Sequence, residues 1–402
     1  MCGSSKAPDL RKVWGRGAFN FVHSNRRVIC AWQGVDKLVE LAREAGARRA
    51  AAVMDAFFEN SELAERVADH LLAACGVAPV VHFVPAAEPD TESIDACADA
   101  LRATDPDLIV AIGGGSTMDT AKIARLLLSN AGPAQAIAGL GKILEPHASL
   151  LVAIPTTAGT GSEVSESAIA GKAGSDIKLI FRSPEMTPQI ALLDAHLTVS
   201  APAKVTAASG FDAVTHAVEA YVSKAASIMT DPYAISAMQL LGRWLPVAYR
   251  EPMHAVARSW CLIASCQAAI AFNSANLGLA HALAAPLGAL HHVPHGLANA
   301  LALPAVAAFN EAAMGAKAAT VAGAFGAGTA AQGLSELRLA LDLDLGLDDF
   351  VPDDGAREAL ALAAMKSGQV RMNPRLATLE QMRAIITSMR LPTEGRRPDL
   401  RI

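Results

Sequence analysis

Asp107-Leu-Ile-Val-Ala-Ile-Gly113-Gly114-Gly115-Ser116-Thr117-Met118-Asp119-Thr120-Ala121-Lys122 reads as a buried strand, a glycine turn and the start of a helix. Three glycines let the main chain approach an anion closely, and the free N–H groups and dipole of the following helix favour negative charge. Ser116 and Asp119 have capping-box spacing, which predicts that the helix start is pinned there. The pattern departs from the dinucleotide fingerprint, whose third glycine would fall at 118, where Met stands. By itself, a glycine turn is equally compatible with a plain loop.

The strand–helix rhythm extends outward from this stretch. Arg49-Ala-Ala-Ala-Val-Met54 is a short apolar run ending at Asp55. Ser61 opens a helical pattern with Leu63, Val67, Leu71 and Leu72 on its apolar side and a stop at Gly76. Residues 80–84, between Pro79 and Pro85, read as a strand, and 93–103 as a helix. Downstream, a helix over 117–128 precedes another strand at 150–154. Such alternation predicts an α/β layer with a largely parallel sheet. Past residue 195 the strand signals fade. Alanine- and leucine-rich helices are expected over 203–222, 230–249, 253–272, 275–285, 312–325, 356–367 and 378–389, with Pro202, Pro232, Pro286 and Pro304 as breakers. The predicted fold class is α/β plus all-α, with an α/β domain over 1–200 and an all-helical domain over 201–402.

Hydrophobic residues make up 52% of the 402 and mean hydropathy is +0.30, so a large core is expected and disorder is not. The net charge of −5 argues against a nucleic-acid or anionic-membrane partner. The one Arg-rich stretch, 390–401, reads as a solvated terminus. No apolar segment follows Met1, so no signal peptide is expected. The scattered cysteines (Cys2, Cys30, Cys75, Cys97, Cys261 and Cys266) form no Cys-x-x-Cys pair and fit reduced thiols in a cytoplasm. The most apolar region, 277–308, is interrupted by His281, Pro286, His291, His292, Pro294 and His295, so no membrane span is expected.

Two further segments bear on chemistry in the first half. Asp55 places a carboxylate at a strand end, where it can accept ribose hydroxyls and would repel the extra phosphate of NADP. Ile154-Pro155-Thr156-Thr157-Ala-Gly159-Thr160-Gly161-Ser162 sets hydroxyls and glycines just past another strand. In the second half, Asp212 and His216 stand four residues apart among small apolar neighbours and share one helix face. A buried Asp and His need partners, and a cation satisfies both. His281 and His295 follow, with Pro286 and Gly288 between them predicting two adjacent helices instead of one. A lone buried histidine can equally be a satisfied core residue. One carboxylate and three imidazoles together suit Fe²⁺ or Zn²⁺ better than Mg²⁺ or Ca²⁺.

Taken in order, these segments resemble the iron-containing (group III) alcohol dehydrogenase family over nearly the whole chain. The resemblance rests on the strand ending in Asp55, the glycine loop Gly113 to Lys122, Pro155-Thr-Thr-Ala-Gly-Thr160, Gly210-Phe-Asp-Ala-Val-Thr-His216, Pro294-His-Gly296 and Met372-Asn-Pro-Arg375. It implies the dehydroquinate synthase-like fold: an N-terminal nucleotide-binding α/β domain and a C-terminal helical metal-binding domain. It implies Asp212, His216, His281 and His295 as metal ligands, with His281 and His295 at the catalytic centre. Asp55, Gly114, Gly115, Ser116, Asp119, Thr156, Thr157, Thr160 and Lys178 become contacts of NAD, with NADP disfavoured, and Phe272 a wall of the substrate pocket. The implied reaction interconverts a small primary alcohol and its aldehyde, including one bearing a polar or acidic group, in a homo-oligomer.

One departure stands out. Many members carry a second histidine one turn after the position of His281, and here that residue is Ala285. His291 or His292 is the available replacement for the proton's route. Two other readings remain at this point. One is a dehydroquinate synthase-like NAD- and metal-dependent lyase, which would need cleft cations that 206–222 and 272–300 lack. The other is a non-catalytic metal- and nucleotide-binding scaffold.

Overall fold

The apolar stretch Leu108–Gly113 is a strand with all six residues buried. The computed structural model describes residues 25–85, 89–175 and 177–389, together with Phe21 and His23. The chain start with Cys2 and the Arg-rich stretch from Arg390 lie outside the described residues. The strands are β1 (Arg27–Ala31), β2 (Ala50–Asp55), β3 (Val80–Val84), β4 (Leu108–Gly113), β5 (Gly139–Leu140), β6 (Leu150–Pro155), β7 (Ser167–Gly171), β8 (Lys178–Arg182) and β9 (Ile190–Asp194). Six of them form one sheet in the order β1-β9-β6-β4-β2-β3, with every pairing parallel. β5, β8 and β7 form a small second sheet.

Helices α1 (Leu38–Glu44), α2 (Glu62–Cys75), α3 (Thr91–Arg102), α4 (Gly115–Leu127) and the short α5 (Ala134–Ile137) lie between the strands. The period-two alternation of strand residues sorts them onto two faces. Ala52, Met54, Val110, Ile112, Val152 and Ile154 pack with Leu38, Leu41, Val67 and Leu71 of α1 and α2. Ala51, Val53, Ile109, Ala111, Leu151 and Ala153 pack with Ile94, Leu101, Met118 and Ile123 of α3 and α4. Strands covered on both faces carry continuous apolar runs, which is why β2, β4 and β6 stand out in the sequence. Ser61 caps α2 by accepting from the Ala64 N–H, and Gly76 follows its last turn. The register pairs Gly113 with Pro155 and Met54 with Ile112, so Asp55, Gly113 and Pro155 share the C-terminal edge of the sheet.

From Ala203 the long elements are helices: α6 (Ala203–Val222), α7 (Asp231–Arg250), α8 (Ala255–Ala275), α9 (Leu279–His291), α10 (His295–Met314), α11 (Ala316–Ala324), α12 (Ala330–Ala340), α13 (Asp354–Met365) and α14 (Leu379–Ser388). α6 is the hub. It is buried at every residue from Gly210 to Val222 and packs against α7, α8 and α10.

Several details differ from the sequence expectations, each for a physical reason. Ser116 and Asp119 form no capping box, because α4 begins with Gly114 as its N-cap and Asp119 falls beyond the first turn. The break expected at Pro286 falls at His292-Val293-Pro294. Pro286 forfeits one helix hydrogen bond, but buried Leu283 and Leu287 hold α9 together across it. α10 likewise runs through Pro304, where continuous burial from Leu297 to Pro304 outweighs the lost bond. α8 and α10 are also, by length and composition, apolar enough to cross a bilayer, although no such run was expected. Of their apolar windows 61% and 67% is buried within the protein, which accounts for that composition.

Candidate metal and cofactor site

At the C-terminal edge of the sheet, three loops meet. Asp55 ends β2, and its Oδ1 accepts from the Phe57 N–H at 2.9 Å, which holds the carboxylate at the strand tip. The Thr156 N–H donates to the Gly113 carbonyl at 3.0 Å, tying the loop after β6 to the glycine turn. Gly114 caps α4 without a side chain, so none of its own atoms covers the first N–H groups of that helix. A Cβ on Gly115 would lie 2.7 Å from Thr160 Cγ2, so only glycine lets the two loops touch. Ser116 sits in the first turn of α4, and Thr157 Oγ1 lies 3.7 Å from where a Cβ on Gly114 would be.

Asp119 is tied into the segment that follows β6. Its carboxylate accepts from Ser162 Oγ at 2.5 Å and from the Ile169 N–H at 2.9 Å, and lies 3.6 Å from Lys122 Nζ. The fully buried Lys122 ammonium also reaches Ser162 Oγ, Ser165 Oγ and the carbonyls of Ser162 and Ser167 at 2.5–3.2 Å. Burial pushes the Asp119 carboxyl up and the Lys122 ammonium down, each against the pull of the other. Together they lace α4 to the 162–169 segment.

The helical half contributes side chains. Asp212 and His216 lie one turn apart on α6, His281 is in the first turn of α9, and His295 opens α10. The Nε2 atoms of His216, His281 and His295 are 3.7, 3.6 and 3.5 Å from Asp212 Oδ1. Asp212, His216 and His281 offer ligand atoms all within 4.8 Å of one another, with His295 Nε2 approaching Asp212 from the more exposed side, and the donor set is the nitrogen-rich kind that Fe²⁺ and Zn²⁺ accept. The residues present therefore fit a metal ion. Asp212, His216 and His281 are buried, whereas the His295 side chain is 44% exposed, so the cluster opens on that side.

Electrostatics concentrate on Asp212. Burial alone would raise its carboxyl, but His216, His295 and His281 hold it well below the usual carboxylate range. Burial pushes the His216 imidazole down to about 4 in spite of Asp212. At His281, burial is outweighed by hydrogen bonds to Asp212 and Glu219, which lift it to about 9. Two buried partners went unnoticed in the sequence. Glu219 Oε2 lies 2.6 Å from His281 Nδ1. Asn299 Nδ2 lies 2.7 Å from Asp212 Oδ1, 3.2 Å from His281 Nε2 and 3.3 Å from His295 Nε2. Both carried a readable signal. Glu219 is three residues past His216, and Asn299 is four past His295, each on its ligand's helix face.

The halves touch beside this cluster. The site of a Cβ on Gly159 is 2.8 Å from Ser209 Cβ on α6, and that on Gly161 is 2.1 Å from Ala269 Cβ on α8. Arg182 on β8 donates to Glu166 Oε1 at 2.7 Å, to the Asn273 carbonyl at 3.0 Å and to Asn276 Oδ1 at 3.2 Å. Lys178, on the same strand, places Nζ 3.4 Å from where a Cβ on Gly288 of α9 would be. The Phe272 ring stands 4.6 Å from the His216 ring. Ala285 is exposed one turn beyond His281. His291 is not brought to the cluster, since ten helical residues carry it about 15 Å along α9 from His281.

A parallel nucleotide-type sheet, set against a helical domain that buries one carboxylate among imidazoles, is a two-domain architecture suited to holding a nucleotide and a metal ion. Residues 25–195 match the family model described as iron-containing alcohol dehydrogenase, and residues 206–390 match the C-terminal model of the Fe-containing alcohol dehydrogenase family. The chain belongs to the iron-containing alcohol dehydrogenase family, oxidoreductases acting on CH–OH donors. It is 35% identical over 359 residues to the probable alcohol dehydrogenase EutG of Escherichia coli (strain K12), covering 88% of this chain and 90% of that one. It is 34% identical to the NAD-dependent methanol dehydrogenase of Bacillus methanolicus, covering 86% and 93% of the two chains. A solved structure of 1,3-propanediol oxidoreductase superposes with a TM-score of 0.88 at 30% identity, over 92% of this chain and 100% of that one.

Proposed function

We propose that this chain interconverts a small primary alcohol and its aldehyde, using NAD(H) and an Fe²⁺ or Zn²⁺ ion held by Asp212, His216, His281 and His295. The observation that carries the reading is the convergence of three imidazole Nε2 atoms on Asp212 Oδ1 at 3.5–3.7 Å. The names of two relatives, acting on methanol and on 1,3-propanediol, support a small alcohol. When bound, the ion supplies Lewis-acid polarisation of the substrate oxygen and the nicotinamide carries the hydride.

The chain's own residues bind and orient. Asp55 accepts ribose hydroxyls, and its charge disfavours NADP. Gly114, Gly115 and Ser116 leave the start of α4 open to a diphosphate, and Thr156, Thr157 and Thr160 offer hydroxyls beside it. Lys178 adds a cation near α9, and Phe272 walls the substrate next to His216. Ala285 has no group that transfers a proton, so the hydroxyl proton passes to water on the exposed side of His295.

Metal analysis of anaerobically purified protein, combined with NADH oxidation across a panel of small aldehydes, tests the reading. About one ion per chain is expected, with turnover of at least one aldehyde. Asp212→Ala should lose the ion and lower turnover by about 10³-fold or more. Full activity in a metal-free Asp212→Ala protein would refute it.

A further inference from the structure

Glu219 is a 3% exposed carboxylate that the proposed ligand set does not use. It sits on α6 one turn past His216 and two turns past Asp212, on the same face. Oε2 lies 2.6 Å from His281 Nδ1, and Oε1 accepts from the Ala280 N–H at 2.7 Å. The N-cap of α9 is Gly278, which has no side chain to satisfy that first turn. The carboxylate from α6 takes the cap's place, at the helix end where negative charge is favoured. A Cβ on Gly278 would lie 2.9 Å from Glu219 Oε1 and 3.0 Å from Asn373 Oδ1, so glycine is what lets the carboxylate come so near. Asn373 is itself fixed by reciprocal amide bonds to Asn310 at 2.7 and 2.9 Å.

Each oxygen of Glu219 thus serves a different N–H donor. In the neutral form that a metal ion requires, the Nδ1 of His281 carries its hydrogen toward Glu219 and the Nε2 lone pair is left for the ion. Asn299 Nδ2, a donor 3.2 Å from Nε2, fits that assignment. His216, in contrast, has a buried Nδ1 with no hydrogen-bond partner among the described residues. We infer that Glu219 is a positioning residue of the metal site: it fixes the tautomer and plane of His281 while capping α9, so the ligand and the start of its helix are set by one carboxylate. This inference rests on the metal-dependent reading above.

Glu219→Gln separates the roles, because it keeps the shape but offers one acceptor and one donor where two N–H groups wait. If its oxygen stays with Ala280, its NH₂ faces Nδ1 and drives the His281 hydrogen to Nε2. If its oxygen turns to His281, the cap is lost and the ring loosens. The expected result is a roughly 10–100-fold weaker hold on Zn²⁺ in chelator competition. In ¹⁵N-histidine spectra of Zn²⁺-loaded protein, the Nδ1–H signature of His281 in the wild type should be lost or broadened in the variant. Glu219→Asp, shorter but still an acceptor at both oxygens, should show a smaller loss, and it decides the matter alone if the Gln variant does not fold. Zn²⁺ affinity and the His281 spectrum both unchanged, even with a lowered melting temperature, would reduce Glu219 to a helix cap and overturn the inference. A wild-type protein that holds no divalent ion would instead overturn the metal reading.

Discussion

The two halves of the molecule build their shares of the site from different material. At the sheet edge the working groups are main-chain N–H groups and small residues, and side chains matter chiefly by being absent, as at Gly115 beside Thr160. Among the helices the working groups are long polar side chains, and main chain matters by fixing their spacing, as for Asp212 and His216 on α6. A surface made of backbone tolerates many substitutions and fails where a Cβ intrudes. A cluster made of buried charges tolerates almost none, since each loss strands a partner.

Lys122→Met tests the comparison at its strongest exception, a buried side chain that holds the backbone half together. It leaves Asp119 without its cation and takes one donor from each of four oxygens, so a loss of roughly 3–5 kcal/mol is expected in urea unfolding. A loss below about 1 kcal/mol would show that the loops hold themselves.

Glu163 probes the seam. It lies two residues past Gly161, which is pressed against α8, and burial pushes its carboxyl up to about 7 while Oε1 has no hydrogen-bond partner among the described residues. The folded form therefore binds a proton that the unfolded chain releases at a lower pH. Stability is fully present below the unfolded value and is lost as pH rises through about 7. Glu163→Gln should be nearly neutral at pH 5 and stabilising by about 3 kcal/mol at pH 8, read as a melting-temperature difference at the two pH values. An equal effect at both would place the carboxyl in a wetter setting than the fold indicates.

Gly115→Ala should have the smallest effect, about 1–2 kcal/mol, seen as a roughly tenfold weaker hold on NADH by fluorescence titration. Adding Thr160→Ser should restore part of it, since serine keeps the hydroxyl and lacks the Cγ2 that the new Cβ would strike. Without that recovery, the two loops are not coupled through this contact.

These differences in material also governed what the sequence disclosed. β4 and the start and end of α2 were legible because burial on both faces and a Ser61–Gly76 bracket leave local marks. β1 was not, because as an edge strand it alternates exposed and half-buried residues without a clear apolar face. α10 was hidden by Pro304, whose local cost is overridden by packing that no local pattern records. The Asp212–His216 pair was legible at its helical spacing, whereas His281 and His295 needed the family's ordered motifs, because separate helices bring them in. Glu219 and Asn299 were overlooked although each shares a helix face with a ligand, because no partner was visible until the helices packed.

Arg182 has a consequence for motion. Its guanidinium, rooted in β8, grips the end of α8 through the Asn273 carbonyl and the Asn276 side chain while braced by Glu166. Swinging the helical half away from the sheet along that edge would tear two hydrogen bonds from one charged group at once. That margin is therefore pinned by one guanidinium, which joins the smaller sheet to the end of α8.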